Sequence, residues 1–99
     1  MFKKVLLLAS AGLMVMGSAA AAEKVKIGFV TTITTPAGVI GRDMVDAVNL
    51  AMEDIGGKMA GRDVELIIED DGFKPAIGKQ KTDKLVKQDK VQFVTGFIW

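Results

Sequence analysis

Three runs rich in apolar residues, 24–30, 64–69 and 91–98, alternate with two stretches whose apolar residues recur at helical spacing. That alternation restricts the fold more than any other feature. The first run starts as Lys24-Val25-Lys26-Ile27, polar against apolar, and becomes continuous at Gly28-Phe29-Val30. It reads as a strand buried most deeply at its end. From Arg42 the period changes: Met44, Ala47, Val48, Ala51 and Ile55 share one helical face, with Asp43, Asp46, Asn49 and Glu53 largely off it. Gly56 and Gly57 end that helix, because glycine accepts the left-handed cap. Residues 59–62 read as a connector, 64–69 as a second strand and Asp70-Asp71-Gly72 as a turn. A second helix is predicted over 75–88. Its Pro75 suits the first turn, its apolar stripe is Ile77, Leu85 and Val86, and Lys79, Lys81, Lys84 and Lys87 are expected in water. Residues 91–98 give the third strand and the start of its loop.

The expected class is therefore α/β, with the order β-α-β-α-β and a parallel sheet covered on both faces. Each crossover should be right-handed. Three strands and two helices leave at least one apolar face or sheet edge without a partner. Residues 23–99 are also few for a doubly wound domain, where roughly 100–150 are typical. The expectation is an incomplete sheet, belonging to a longer chain. In open parallel sheets ligands bind beyond the carboxyl ends of the strands, where strand order reverses. A 2-1-3 order would bring the loop 31–41 and the segment from Phe97 onward to one crevice. The first loop carries Thr31, Thr32, Thr34 and Thr35 and enters a helix whose first N–H groups lack internal partners. Hydroxyls and free N–H groups there could cradle a carboxylate; alternatively, the threonines only cap the turn and helix.

Residues 1–22 have the layout of an export signal. Lys3 and Lys4 precede an apolar run over 5–16, Gly17 and Ser18 break it, and Ala20 and Ala22 place small residues one and three before a cut at Glu23. The run is short of the roughly 20 residues of a membrane-spanning helix. With no cysteine anywhere, a lipid anchor at the cut is excluded. Loss of the two leader lysines takes the net charge of +1 to −1. There is no basic stripe with interleaved aromatics, so nucleic acid is not an expected partner. The absence of His and Cys excludes the usual nitrogen and sulfur metal ligands and any Ser-His or Cys-His nucleophile pair within this chain. Asp70 and Asp71 could in principle hold Mg²⁺. Asp71-Gly72, with Asp70 capping nearby N–H groups, favours a simple turn. The glycines after the first strand do not form G-x-G-x-x-G, so a dinucleotide site is not expected.

Lys26-Ile27-Gly28-Phe29-Val30, then Thr34-Thr35-Pro36-Ala37-Gly38-Val39-Ile40-Gly41, resembles the opening of the leucine-binding-protein-like, type I periplasmic binding proteins of branched-chain amino acid transport. Asn49-Leu50-Ala51 with Ile55-Gly56-Gly57, the segment 64–71 and Val91-Gln92-Phe93-Val94-Thr95-Gly96 continue the likeness through residue 99. The resemblance implies two α/β lobes that close on a ligand and present it to a membrane permease. Residues 23–99 would be the N-terminal part of lobe 1, after the signal 1–22. Thr34, Thr35 and Ile40 would line the mouth, with Phe97 and Trp99 leading to the segment that usually holds a ligand carboxylate. Thr35 stands where the family has glycine, and Ile40 where larger or polar groups often sit. The implied function is a periplasmic receptor, not an enzyme, without cofactor or metal, delivering a branched-chain amino acid or an aromatic acid to an ABC importer. A sensory domain of a regulator, or an exported α/β enzyme with catalytic residues beyond this segment, are the alternatives.

Overall fold

The first apolar run forms β1 (Val25–Thr31), and Phe29, Val30 and Thr31 at its end are buried as the pattern required. The computed structural model describes residues 23–98; the export signal and Trp99 lie outside the described residues. The elements after β1 are α1 (Gly38–Asp54), β2 (Lys58–Met59), β3 (Arg62–Asp70), α2 (Pro75–Lys87) and β4 (Phe93–Thr95). The sheet order is β2-β3-β1-β4. β1 is central and pairs in parallel with β3, from Val25 opposite Val64 to Thr31 opposite Asp70. It pairs in parallel with β4 on its other side, Ile27 to Phe29 opposite Phe93 to Thr95. The three main strands thus adopt the 2-1-3 order.

Several expectations need correction. α1 starts at Gly38, not Arg42, so the loop is shorter and Ile40 belongs to the first helical turn. Glycines that read as loop residues are helical because other backbone lies against them. A Cβ on Gly41 would stand 1.6 Å from the Thr32 carbonyl oxygen, and one on Gly38 2.0 Å from that of Ile33. The connector over 59–62 is a hairpin: β2 pairs antiparallel with the start of β3, and both turn residues, Ala60 and Gly61, have positive φ, at 50° and 73°. Such a turn matches the strand twist. The third strand is only three residues long.

α1 packs through only part of the face expected, Met44 and Val48. Gly41, Met44, Val45, Val48 and Met52 are buried or half-buried, whereas Ala47, Ala51 and Ile55 are exposed. The packed stripe follows the i, i+3/i+4 path set by Gly41, where helix and loop touch. α2 packs through Gly78 and Leu85, while Val86 is exposed. Leu85 is fully buried and lies over Gly28 of β1; a Cβ there would be 2.8 Å from Leu85 Cδ1. Two of the lysines expected in water do more than that. Lys84 and Lys81 reach Glu69 of β3 at 2.6 and 3.0 Å, and Lys84 also meets Asp89 at 2.8 Å. The hydrogen bond from Lys84 holds the Glu69 carboxyl below its ordinary range against the upward push of burial, with Lys81 assisting. Among the described residues no helix is long and apolar enough to cross a membrane.

Candidate functional site

The parallel register delivers both the β1 loop and the segment after β4 to the carboxyl edge of the sheet. The acidic end of β3 arrives between the strand and its loop. Because Asp70 is in register with Thr31, its carboxylate lies under the chain as it leaves β1. Asp70 Oδ1 accepts hydrogen bonds from the Ile33 and Gly72 N–H groups, both at 2.9 Å. Oδ2 accepts the Thr34 hydroxyl at 2.6 Å and the Thr34 N–H at 3.3 Å. Asp71 Oδ1 accepts the hydroxyl of the fully buried Thr32 at 2.5 Å and the Phe73 N–H at 2.9 Å. The acidic pair makes the turn expected of it and, beyond that expectation, clamps the threonine loop.

Partial burial pushes the Asp70 carboxyl upward, but the donors from Ile33, Thr34 and Gly72 outweigh it and hold the group below the ordinary aspartate range. The carboxylate is therefore ionised at neutral pH and can only accept. A depressed carboxyl stabilises the fold fully above its unfolded pKa, near 4, and loses that contribution as pH falls through the folded value. The melting temperature should accordingly drop between about pH 5 and about pH 3, with Asp70 and Glu69 both contributing. Asp70→Asn should shrink that drop, which a series of thermal melts across this range would show.

The sequence-derived site residues occupy two places. Thr34 and Thr35 are exposed at the tip of the loop, and Ile40, 49% exposed, stands on the first turn of α1. Thr35 takes a φ of 79°, a left-handed conformation that costs a β-branched residue roughly 1–2 kcal/mol. This explains why glycine suits that position in the resembling family. The Thr35 carbonyl accepts the Gly38 N–H at 2.9 Å, and Arg42 donates to the Ile33 carbonyl at 2.7 Å. Neither threonine caps the helix by its side chain: the N-cap is Ala37, with no side-chain bond. Thr31 and Thr32 are fully buried, so two of the four hydroxyls are unavailable to a ligand.

Phe97, 46% exposed, lines a hollow of about 630 Å³ against Phe73, Pro75, Gly78 and Thr82 at the start of α2. Thr34, Thr35 and Ile40 do not line it. The hollow is mostly apolar and open along the flank of α2. Asp71, Lys74, Lys79 and Asp83 line it as well; the β1 loop, where Thr34, Arg42 and Asp70 converge, is the candidate for recognising a ligand. Asp70, Asp71 and Arg42 are members of this site that sequence reasoning missed. The usable signal was the end-to-end register of two strands finishing in Thr-Thr and Asp-Asp.

Open α/β sheets whose parallel strands bring two neighbouring loops to one edge take their ligands there, and this chain has that arrangement. The sequence profile of the periplasmic binding proteins matches residues 24–99, and the chain belongs to that family. It is 30% identical over 98 residues to a Leu/Ile/Val-binding protein homolog 6 of Brucella abortus, covering 98% of this chain and 25% of that protein. An ABC transporter substrate-binding protein from Sphaerobacter thermophilus superposes with a TM-score of 0.70 at 36% identity, covering 73% of this chain and 19% of its own. A solute-binding protein of an ABC transporter from Rhodopseudomonas palustris, in complex with 3,4-dihydroxybenzoic acid, gives 0.69 at 27% identity, with 72% and 20% covered. The chain thus spans about a quarter of the length of the curated relative. These relatives are binding proteins of transport systems rather than enzymes, and the family acts in the periplasm or outside the cytoplasm.

Proposed function

We propose that this chain forms the opening part of the first lobe of an extracytoplasmic receptor that delivers a small carboxylate to the permease of an ABC importer. The ligand class is a branched-chain amino acid or an aromatic acid. Residues 1–22 serve as the export signal, removed before Glu23. The observation that carries this reading is the parallel pairing of β1 with both β3 and β4, which sets the threonine loop and the Phe97 segment at one edge. Thr34, Thr35 and Ile40 form one side of the cleft mouth, and the segment led by Phe97 and Trp99 the other. The relatives' names and ligands support both ligand classes.

The test uses a completed receptor, in which residues 24–98 replace the matching segment of the Rhodopseudomonas palustris relative. A thermal-shift screen of amino and aromatic acids should raise its melting temperature with at least one member of these classes. The chain alone should bind none of them with a submicromolar Kd, because one lobe supplies only part of a closing cleft. A completed receptor that folds but responds to no member of either class contradicts the proposal.

A further inference from the structure

We infer that Asp70 sets the polarity of the β1 loop, so that Thr34 faces the cleft as a hydrogen-bond acceptor and selects the donor-bearing end of the ligand. This rests on the receptor reading above and adds to it which end of the ligand the loop recognises. Thr34 is exposed, and its hydroxyl lies 2.6 Å from Asp70 Oδ2. A carboxylate has no proton to give, so the hydroxyl proton must point inward, leaving only lone pairs outward. The neighbouring donors are spent in the same way: the Ile33 and Thr34 N–H groups also turn to Asp70. Arg42 gives one of its five N–H donors to the Ile33 carbonyl, which fixes the guanidinium beside the loop rather than at the Thr34 hydroxyl. A ligand carboxylate placed at Thr34 would meet lone pairs and the negative charge of Asp70, with no donor from Ile33 or the Thr34 backbone. An ammonium or a ring hydroxyl would meet a good acceptor instead.

The side-chain geometry supplies an unusual control. Asparagine at position 70 can keep its oxygen on the Ile33 and Gly72 N–H groups, preserving the turn. Its NH₂ then faces Thr34 and donates to that hydroxyl, which turns the hydroxyl proton outward, while the long bond from the Thr34 N–H is lost. Asp70→Asn thus reverses the polarity at the tip while retaining most of the support beneath it.

The experiment measures affinities of the completed receptor by calorimetry for two pairs of probes. Isoleucine is compared with 2-oxo-3-methylpentanoate, and 3,4-dihydroxybenzoate with 3,4-difluorobenzoate. In whichever pair binds, the donor-bearing member should be preferred by at least about tenfold, the loss expected when a buried donor is removed. In Asp70→Asn the preference should collapse to within about threefold or reverse. Thr34→Ser should keep it and Thr34→Val should abolish it; being on an exposed side chain, these two carry the test even where the Asp70 variant fails to fold. Equal affinities within the pair, or a preference unchanged in Thr34→Val, overturn the inference while leaving the receptor reading intact. Failure of all four probes to bind the folded receptor overturns both.

Discussion

Alanine at Gly41 is expected to be among the most damaging single changes in this chain, costing about 3 kcal/mol or more. The added methyl would stand 1.6 Å from the Thr32 carbonyl oxygen and 2.5 Å from its carbon. Both obstacles are backbone, and no rotamer change relieves them. α1 would have to lift off the loop, pulling at the seat of Thr32 on Asp71 and the bond from Arg42 to Ile33. The two effects should therefore appear together, as a lower urea midpoint and weaker ligand binding in the completed receptor. Gly78 of α2 is the matched control. There an added Cβ would meet only Asp71 Cβ at 3.6 Å, an ordinary contact. With helix propensity alone in play, Gly78→Ala should be neutral or stabilising by up to about 1 kcal/mol. Equal effects at the two glycines would mean that the α1–loop contact is not the close approach described.

Leu85→Ala should cost about 3 kcal/mol, within the range for fully buried leucines. Leu85 has no exposed surface and covers Gly28 on the central strand. The glycine beneath it has no side chain to move into the void. The same geometry makes the loss partly repairable. A methyl on Gly28 would lie 2.8 Å from Leu85 Cδ1, in the space that the truncation vacates. Gly28→Ala should destabilise when Leu85 is present and offset part of the loss when it is absent. A double-mutant cycle on the urea midpoints should give a coupling of about 1 kcal/mol or more. Additive effects would place α2 elsewhere on the sheet.

The parts of the fold legible in the sequence are those governed by local pattern. β1 and β3 are apolar runs of adequate length, Pro75 marks the start of α2, and Gly56-Gly57 closes α1 with φ values of 65° and 67°. The parts that were not legible depend on partners distant in sequence. Gly38 and Gly41 look like loop residues until the carbonyls of Ile33 and Thr32 are seen against them. Lys58–Met59 is too short to show a strand period and exists because β3 offers its edge. Val86 and Ile55 fit an apolar stripe by spacing, yet the packed faces are set by where Gly28 and Gly41 allow approach. At the candidate site, the threonine loop and its neighbour after β4 followed from the strand order. The clamp by Asp70 did not, because it needs the register that puts Thr31 beside Asp70 and not merely the motif Asp-Asp-Gly.

In the proposed receptor the loop after β1 is one wall of the ligand cleft. Calorimetric titration of the completed receptor with isoleucine and with 3,4-dihydroxybenzoate, run beside its Thr34→Val variant, tests this most directly. A saturable heat for at least one of them, weakened about tenfold or more by the substitution, is the predicted result. Absence of binding of either compound to the folded receptor would contradict this, and binding indifferent to Thr34 would take its hydroxyl out of the cleft.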